Sequence, residues 1–317
     1  MAQIVLGIGT SHGSQVSLTP DWWPKHGQLD KARTRYDELI MRGDRPWADQ
    51  LTPEVWERKH AAVQASVTAL SDLLVSVDPD VLLVVGDDQG ELFPESRMPA
   101  LAIFAGKEVW DLPRDLTHVP ESRKAAMWAK HAQVPEPYPV PAEMARHLVA
   151  SMMSAGFDVA HMSDQPEGKS VGHAFTFVRL RLMGERVIPM VPILLNTYFP
   201  PNQPTAARCY AFGQALREAV ESWPDDLRVA VVASGGLSHF VVDEELDRAV
   251  ISALEQPTPE VLTSIPEQTL QSGTSEIKNW IVAAGALTHL RFSLVDYVPG
   301  YRSDAGTGCG MAFGHWQ

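Results

Sequence analysis

Two of the eleven histidines stand in similar settings. His12 closes Gly-Thr-Ser-His after one apolar run, and His239 closes Ser-Gly-Gly-Leu-Ser-His after another. Both runs are rich in strand-forming residues, so each imidazole sits where a strand gives way to a loop. In α/β proteins ligands gather at the carboxyl ends of the strands. If the two strands are parallel neighbours, the two histidines converge. A third strand end carries Gly86-Asp87-Asp88-Gln89-Gly90-Glu91, where Asp88 and Gln89 look like the edge of the same site. His60 opens the helix after the first strand, on the side where the strands end. His173 follows Gly-Lys-Ser-Val-Gly, and Glu276 begins a helix in Ser-Gly-Thr-Ser-Glu, with Ser272 or Thr274 placed to cap it. Each also has a structural reading: the histidines as turn residues, Glu276 as an acid favoured by the helix dipole.

Histidine and carboxylate ligands around an ion with open positions suit non-haem Fe(II) and its relatives. Further histidines nearby serve as general acid or base, because their ordinary pKa lies near neutrality. The sequence contains neither a Gly-x-Gly-x-x-Gly nor a Walker motif, and Ser-Gly-Gly-Leu-Ser is not a Gly-x-Ser-x-Gly nucleophile elbow.

The elements that must hold these residues are legible in outline. Residues 3–9 form a strand, and the spacing of Val63, Val67, Leu70, Leu73 and Leu74 predicts a helix over 53–77. Pro79 ends that helix before a strand at 81–85. Strand, helix and strand make a crossover unit, which sets the two strands parallel. Further strands are expected at 99–105, 157–161, 187–195 and 227–233, with a glycine-rich strand at the C-terminus. Pro189 and Pro192 mark the 187–195 strand as irregular or near an edge. Helices are expected at 141–155, 204–223, 243–255, about 258–263 and 275–284. Residues 13–53 form a long excursion with Pro20, Pro24, Pro46 and Trp22, Trp23, Trp47; such connections are usually functional, often lids or subunit contacts. Residues 107–140 read as a second, surface excursion. The whole, 1–317, reads as a single three-layer α/β domain: a mixed, largely parallel central sheet flanked by helices.

Composition narrows the function classes. The chain has 317 residues, 45% of them hydrophobic, and a formal charge of −13. That charge argues against nucleic-acid binding, which needs clustered Lys and Arg; the densest basic stretch, Lys31, Arg33 and Arg35, is short. The N-terminus shows no secretory pattern and no run of about 18 apolar residues appears. Cys209 and Cys309 supply no disulfide framework. A soluble, cytoplasmic protein is expected.

Taken together, Thr10-Ser11-His12, Gly235-Gly236-Leu237-Ser238-His239 and Ser272-Gly273…Glu276…Trp280…Gly285-Ala286-Leu287 resemble the class III extradiol dioxygenases. The likeness is to the catalytic β subunit of protocatechuate 4,5-dioxygenase and to gallate and methylgallate dioxygenases. Asn196-Thr197-Tyr198 and Arg208-Cys209-Tyr210-Ala211-Phe212-Gly213 extend it over most of the chain, excepting 13–53 and parts of 107–140. The resemblance implies a cytoplasmic Fe(II) enzyme that opens a catechol- or gallate-like ring with O2. It implies that His12 and Glu276 bind iron, that His239 acts as base and that His173 lines the substrate pocket. It also implies a homo-oligomer, in which residues 13–53 cover the site as a separate small subunit does in some relatives. Ser272, Thr274 and helix N-termini are the expected anchors for a substrate anion.

One departure stands out. Where the family carries Asp-His, with the histidine as second iron ligand, this chain aligns Asp88-Gln89. His60 is one replacement ligand. Gln89 or Asp88, as ligand or as a hydrogen-bonding neighbour, is another. The third possibility is a metal-poor homologue that acts as a scaffold. A metal-dependent hydrolase on the same fold is a further alternative.

Overall fold

The first strand forms from an unbroken β-rich run, and the chain then reverses through a well-capped helix. The structure, a computed structural model, describes residues 1–32, 36–41 and 46–317. Of the basic stretch, Arg33 and Arg35 lie outside the described residues. In chain order the main elements are β1 (Gln3–Thr10), α1 (Pro53–Val77), β2 (Val81–Asp87), β3 (Leu101–Phe104), β4 (Glu108–Asp111) and β5 (Glu136–Pro139). Next come α2 (Ala142–Ser154), β6 (Ala160–Met162), α3 (His173–Leu182), β7 (Met190–Leu195), α4 (Ala206–Glu221) and β8 (Arg228–Ser234). α5 (Glu244–Glu255), α6 (Ile277–Ala286), β9 (Phe292–Tyr301) and β10 (Gly308–Trp316) complete the order.

Eight strands form one mixed sheet in the order β6-β3-β7-β2-β8-β1-β10-β9. Its centre, β7-β2-β8-β1, is parallel, while β10 runs antiparallel to β1 and β3 antiparallel to β7. β1 and β2 are parallel as the crossover requires, but β8 lies between them. β4 and β5 pair separately.

Helices cover both faces, and the register shows which. Gly9 pairs with Ala233, and Ala233 with Val85, so these three share a face. A side chain at Gly9 would strike Trp280 of α6. Gly86, one residue on, faces the other way, towards Ala174 and Phe175 of α3. Side chains alternate across a strand, so α6 and α3 lie on opposite sides. α1 joins α3, and α4 joins α6.

α1 begins with Thr52 accepting a hydrogen bond from Val55 N and with Pro53 in the first turn; it ends at Asp78 in the left-handed region. Its apolar content and length would suffice to cross a membrane. Here Val63, Val67, Leu70 and Leu74 are buried, and the helix packs on the sheet and on α3.

Two expectations change, and two elements are added to those expected. β7 is an interior strand, not an edge. Leu82 N donates to Pro189 O, a phase that turns the nitrogen of Pro192 away from β2. On the other side β3 pairs with β7 only over residues 193–195, so no ladder bond is lost at Pro192. The added elements are the helix α3, formed by the aromatic run after His173, and the strand Phe292–Tyr301, which forms a hairpin with β10. Residues 107–140 are not simply surface, because part of that segment walls a cavity of about 590 Å³.

Candidate active site

Because β1, β8 and β2 are parallel neighbours, the segments that follow β1 and β8 and the last residue of β2 meet at one end of the sheet. His12 leaves β1, Asp87 ends β2, the Gly235–His239 turn leaves β8, and Glu276 precedes α6. His12, Asp87 and Glu276 are all buried, and one ligand atom from each lies within 4.8 Å of the others.

The tautomer of His12 follows from its neighbours. Ser234 Oγ donates to Ala174 O at 2.7 Å, so towards His12 it acts as acceptor. His12 Nδ1 lies 2.9 Å from that oxygen and must carry the proton. This leaves an unshared pair on Nε2, which is buried, has no hydrogen-bond partner among the described residues and stands 3.5 Å from Glu276 Oε2. Asp87 Oδ1 is likewise buried without a partner among the described residues. Burial disfavours charge on both, lowering the pKa of His12 and raising that of Asp87, where the charge of Glu276 adds to the effect. Burial alone would raise Glu276, but His239 and His12 outweigh it and hold that carboxyl well below its usual range. Lone pairs converging in a desolvated space, two of them orphaned, are the donor set of a divalent cation. The residues present therefore fit a metal ion.

The other histidines surround this group. His239 Nδ1 donates to Leu237 O at 2.9 Å, so Nε2 is the atom presented inward, 3.2 Å from Glu276 Oε1. Its loop is held from below by the buried Asp247, which accepts from Ser238 N at 2.8 Å, from Ser238 Oγ at 2.7 Å and from Tyr297 OH at 2.7 Å. His173 lies with its ring centroid 4.6 Å from that of His12. Glu91 fixes it, accepting from its backbone N at 3.0 Å and from Nδ1 at 2.8 Å. Burial opposes the charge of Glu91, yet the imidazole beside it brings that carboxyl down to about 2.

A cavity of about 590 Å³ opens above, walled by His12, His173, His239, Gln89 and Glu276 among others. Gly13, Ser14, Gln15 and His26 of the first excursion contribute one side. Leu112–Asp115, Arg123, Met127, Lys130 and His131 contribute another, which the reading of that stretch as surface had not foreseen.

The structure brings His12, Glu276, His239, His173 and Gln89 together. It does not bring His60. That residue is half-buried on α1, outside the cavity wall, and its charged neighbour is Arg181. His60 also does not open the helix: it lies about two turns past the start at Pro53, and its side chain turns to α3 and not to the strand ends. Asp88 does not join the group of His12, Asp87 and Glu276: it accepts from the backbone N of Glu91, Leu92 and Phe93 and shapes the turn. Gln89 Nε2 donates to Asp87 Oδ2 at 2.9 Å and faces Glu276 Oε1 at 3.4 Å, a neighbour that orients the acids. Ser272 and Thr274 do not line the cavity or cap α6. Thr274 Oγ1 accepts from His239 N at 3.1 Å and donates to His239 O at 2.9 Å, bracketing that residue.

Sequence reasoning missed Asp87 and Glu91. Asp87 terminates an apolar strand, and an acid closing such a run was the available signal. Glu91 had none, since its partner lies 82 residues away.

Comparison with known proteins supplies the family. Residues 115–299, more than half of the chain, match the family described as the catalytic LigB subunit of aromatic ring-opening dioxygenase. That span includes His173, His239 and Glu276, while His12 and Asp87 precede it. A gallate dioxygenase of Pseudomonas putida is 34% identical over 161 residues, 46% of either chain. A 2,3-dihydroxyphenylpropionate/2,3-dihydroxicinnamic acid 1,2-dioxygenase of Photorhabdus laumondii is 26% identical over 206 residues, 64% of this chain and 56% of the relative. One of Comamonas testosteroni is 25% identical over 180 residues, 56% of this chain and 49% of the relative. The chain spans about half the length of the curated relatives it matches.

Proposed function

Because the chain belongs to the family of catalytic LigB subunits of aromatic ring-opening dioxygenases, we propose that it opens a catechol- or gallate-like ring with O2, using Fe(II) held by His12, Asp87 and Glu276. The observation that carries the reading is the convergence of those three buried donors beneath a cavity into which His239 and His173 face. Bound there, Fe(II) would supply Lewis acidity and a means of bringing O2 and an aromatic diol to one place.

The chain's own groups have distinct tasks. His239 Nε2 is the proton-transfer atom, because Nδ1 is committed to the Leu237 carbonyl. The Glu276 carboxylate 3.2 Å away holds the ring protonated, so Nε2 would be free to take the proton of a substrate hydroxyl, and to return it later, once a cation engages Glu276. Its position is fixed by Thr274 on the backbone and Asp247 beneath the loop. His173, locked by Glu91 through Nδ1, presents Nε2 as the second polar group of the pocket. Gln89 keeps Asp87 and Glu276 oriented. Holding the reactants close and aligned supplies much of the rate in such a site.

The test is reconstitution with Fe(II) under argon, followed by air and a panel of catechols. Oxygen uptake with a coloured ring-fission product is expected; an iron-loaded protein inert to the whole panel sinks the proposal. A second reading, hydrolysis by metal-activated water, draws on one observation: Gln89 stands at the position aligned with the family's imidazole, and the third buried donor is an acid, Asp87. Turnover under argon would select it. In the first reading the chain works as a homo-oligomer without a separate small subunit, with Gly13–Gln15 and His26 of the first excursion and the segment at 112–131 covering the cavity.

A further inference from the structure

The donor group joins one nitrogen, His12 Nε2, to two carboxylates, Asp87 and Glu276. Among the described residues, His173 and His239 stand outside the set whose ligand atoms lie within 4.8 Å of one another. The four carboxylate oxygens differ in what they have left to give. Glu276 Oε2 accepts from Gly236 N at 2.7 Å, and Oε1 lies 3.2 Å from His239 Nε2 and 3.4 Å from Gln89 Nε2. Asp87 Oδ2 accepts from Gln89 Nε2 at 2.9 Å. Of the four, only Asp87 Oδ1 is buried with no partner among the described residues.

Gln89 produces this arrangement. Its amide must turn the nitrogen towards the acids, because an amide oxygen there would face two carboxylates. The NH2 group bridges Asp87 and Glu276 and occupies one oxygen of Asp87, which leaves Oδ1 as the free donor. Gln89 is exposed on the cavity wall, beside the donors but not among them, so another side chain at this position needs no room in the core. His12 is neutral when Nδ1–H is directed at Ser234 Oγ, and the two carboxylates then carry the whole charge of the group. Burying net charge is costly, and a dication brings the group to neutrality. Anionic oxygens suit hard ions such as Mn(II), whereas imidazole nitrogen suits Fe, Zn and Cu.

We infer that residue 89 sets the ion preference of the site: an amide there recruits Asp87 as an anionic oxygen ligand and keeps a second imidazole out, so that Mn(II) is accepted nearly as well as Fe(II). An imidazole at 89 would add a nitrogen donor beside Asp87 and Glu276 and turn the site towards softer ions. This preference rests on the donor group of the ring-opening reading, though not on the reaction itself. Gln89 acts through Asp87 and Glu276; it is a positioning residue that decides which ion they hold.

The experiment measures equilibrium binding of Mn(II), Fe(II) and Zn(II), each alone, to the metal-free full chain under argon. Free Mn(II) is read by electron paramagnetic resonance, and the other two ions by competition with a chromophoric chelator. The wild type is expected to bind Mn(II) within about tenfold of Fe(II). Gln89→His should tighten Zn(II) by about tenfold or more and Mn(II) by less than about threefold, widening the gap between them. Asp87→Asn should weaken Mn(II) on the order of tenfold more than Zn(II), because it removes the harder donor. Spin-echo modulation of the Mn(II)-loaded wild type should report one coordinated imidazole nitrogen, and two in Gln89→His. Two nitrogens in the wild type overturn the assignment, as does a Mn(II)-to-Zn(II) ratio that both substitutions leave unchanged. Absence of binding by all three ions overturns it too. The wild-type spectrum decides the matter where a variant fails to fold. Loading with Fe(II) and admitting air with catechols separates the two readings. One nitrogen without oxygen uptake keeps the donor set and rejects ring opening; oxygen uptake with two nitrogens does the reverse.

Discussion

Replacing Gly273 by alanine tests whether His239 acts where the structure puts it. A Cβ on Gly273 would lie 2.0 Å from His239 Cδ2 and 2.3 Å from Nε2. Carbon atoms in contact rest about 3.5–4.0 Å apart, so one group must yield by roughly 1.5 Å. The backbone at 273 cannot withdraw freely, because Thr274 next to it is bonded to both the N and the O of His239. The imidazole must move, and its bonds to Leu237 O and Glu276 Oε1 go with it. Losing those bonds costs about 1–3 kcal/mol of stability, a few degrees in Tm for a chain of this length. Misplacing a proton-transfer group by about 1 Å costs on the order of a hundredfold in kcat. Oxygen-electrode kinetics on the iron-loaded variant, with calorimetric titration of Fe(II) under argon alongside, give the answer. We expect kcat to fall about a hundredfold while metal affinity stays within about threefold, since His12 and Asp87 are untouched. A variant with wild-type kcat and Tm would refute the placement of His239. Loss of metal binding together with activity would refute the division of labour between His239 and the metal group.

Further predictions follow from the same geometry. Fe(II) at about 100 times its dissociation constant should stabilise the wild type by about 2.7 kcal/mol; His12→Ala should abolish that shift in a thermal melt, and an unchanged shift would remove His12 from the donor set. Gln89→Leu strips the N–H between Asp87 and Glu276 and should cost about 1–3 kcal/mol in metal-free protein by urea unfolding, less once the ion is added; equal costs in both states would contradict the orienting role. Asp247 is raised by burial from its ordinary 3.8 to about 6, so its proton is held longer in the folded than in the unfolded chain. Its contribution is therefore fully present below about pH 4 and lost as pH rises through about 6, on the order of 3 kcal/mol at 1.36 kcal/mol per unit. In denaturant titrations from pH 7 to 4, the wild type should gain on Asp247→Asn as pH falls, and parallel curves would show that Asp247 does not titrate in that window.

Much of the frame was legible because strand ends announce themselves. Apolar runs breaking into Gly-Thr-Ser-His and Ser-Gly-Gly-Leu-Ser-His identified two converging corners, and the register of β1 against β8 brings them side by side. Glu276 was readable through its place at a helix start. Asp87 was not, because it belongs to the strand by hydrogen bonding and to the site by its side chain, and attention fell on the two residues after it. His60 illustrates the opposite limit: helix direction can be inferred from a crossover, whereas the rotation of a residue about the helix depends on packing against α3. The cavity wall at 112–131 stayed hidden for a different reason. Proline-rich segments with mixed charges look solvated in sequence, and their burial depends on long-range contacts such as that between Thr176 and Lys130.

The donor triad also carries information about assembly. Its members come from residues 12, 87 and 276, and β8, the strand between β1 and β2, is itself supplied by residues 228–234. The triad therefore cannot form within a nascent chain that has not yet delivered β8 and the segment before α6. High cation affinity would emerge only after these distant contacts close, which makes metal uptake a clock for the late stage of folding and not a nucleus for its start.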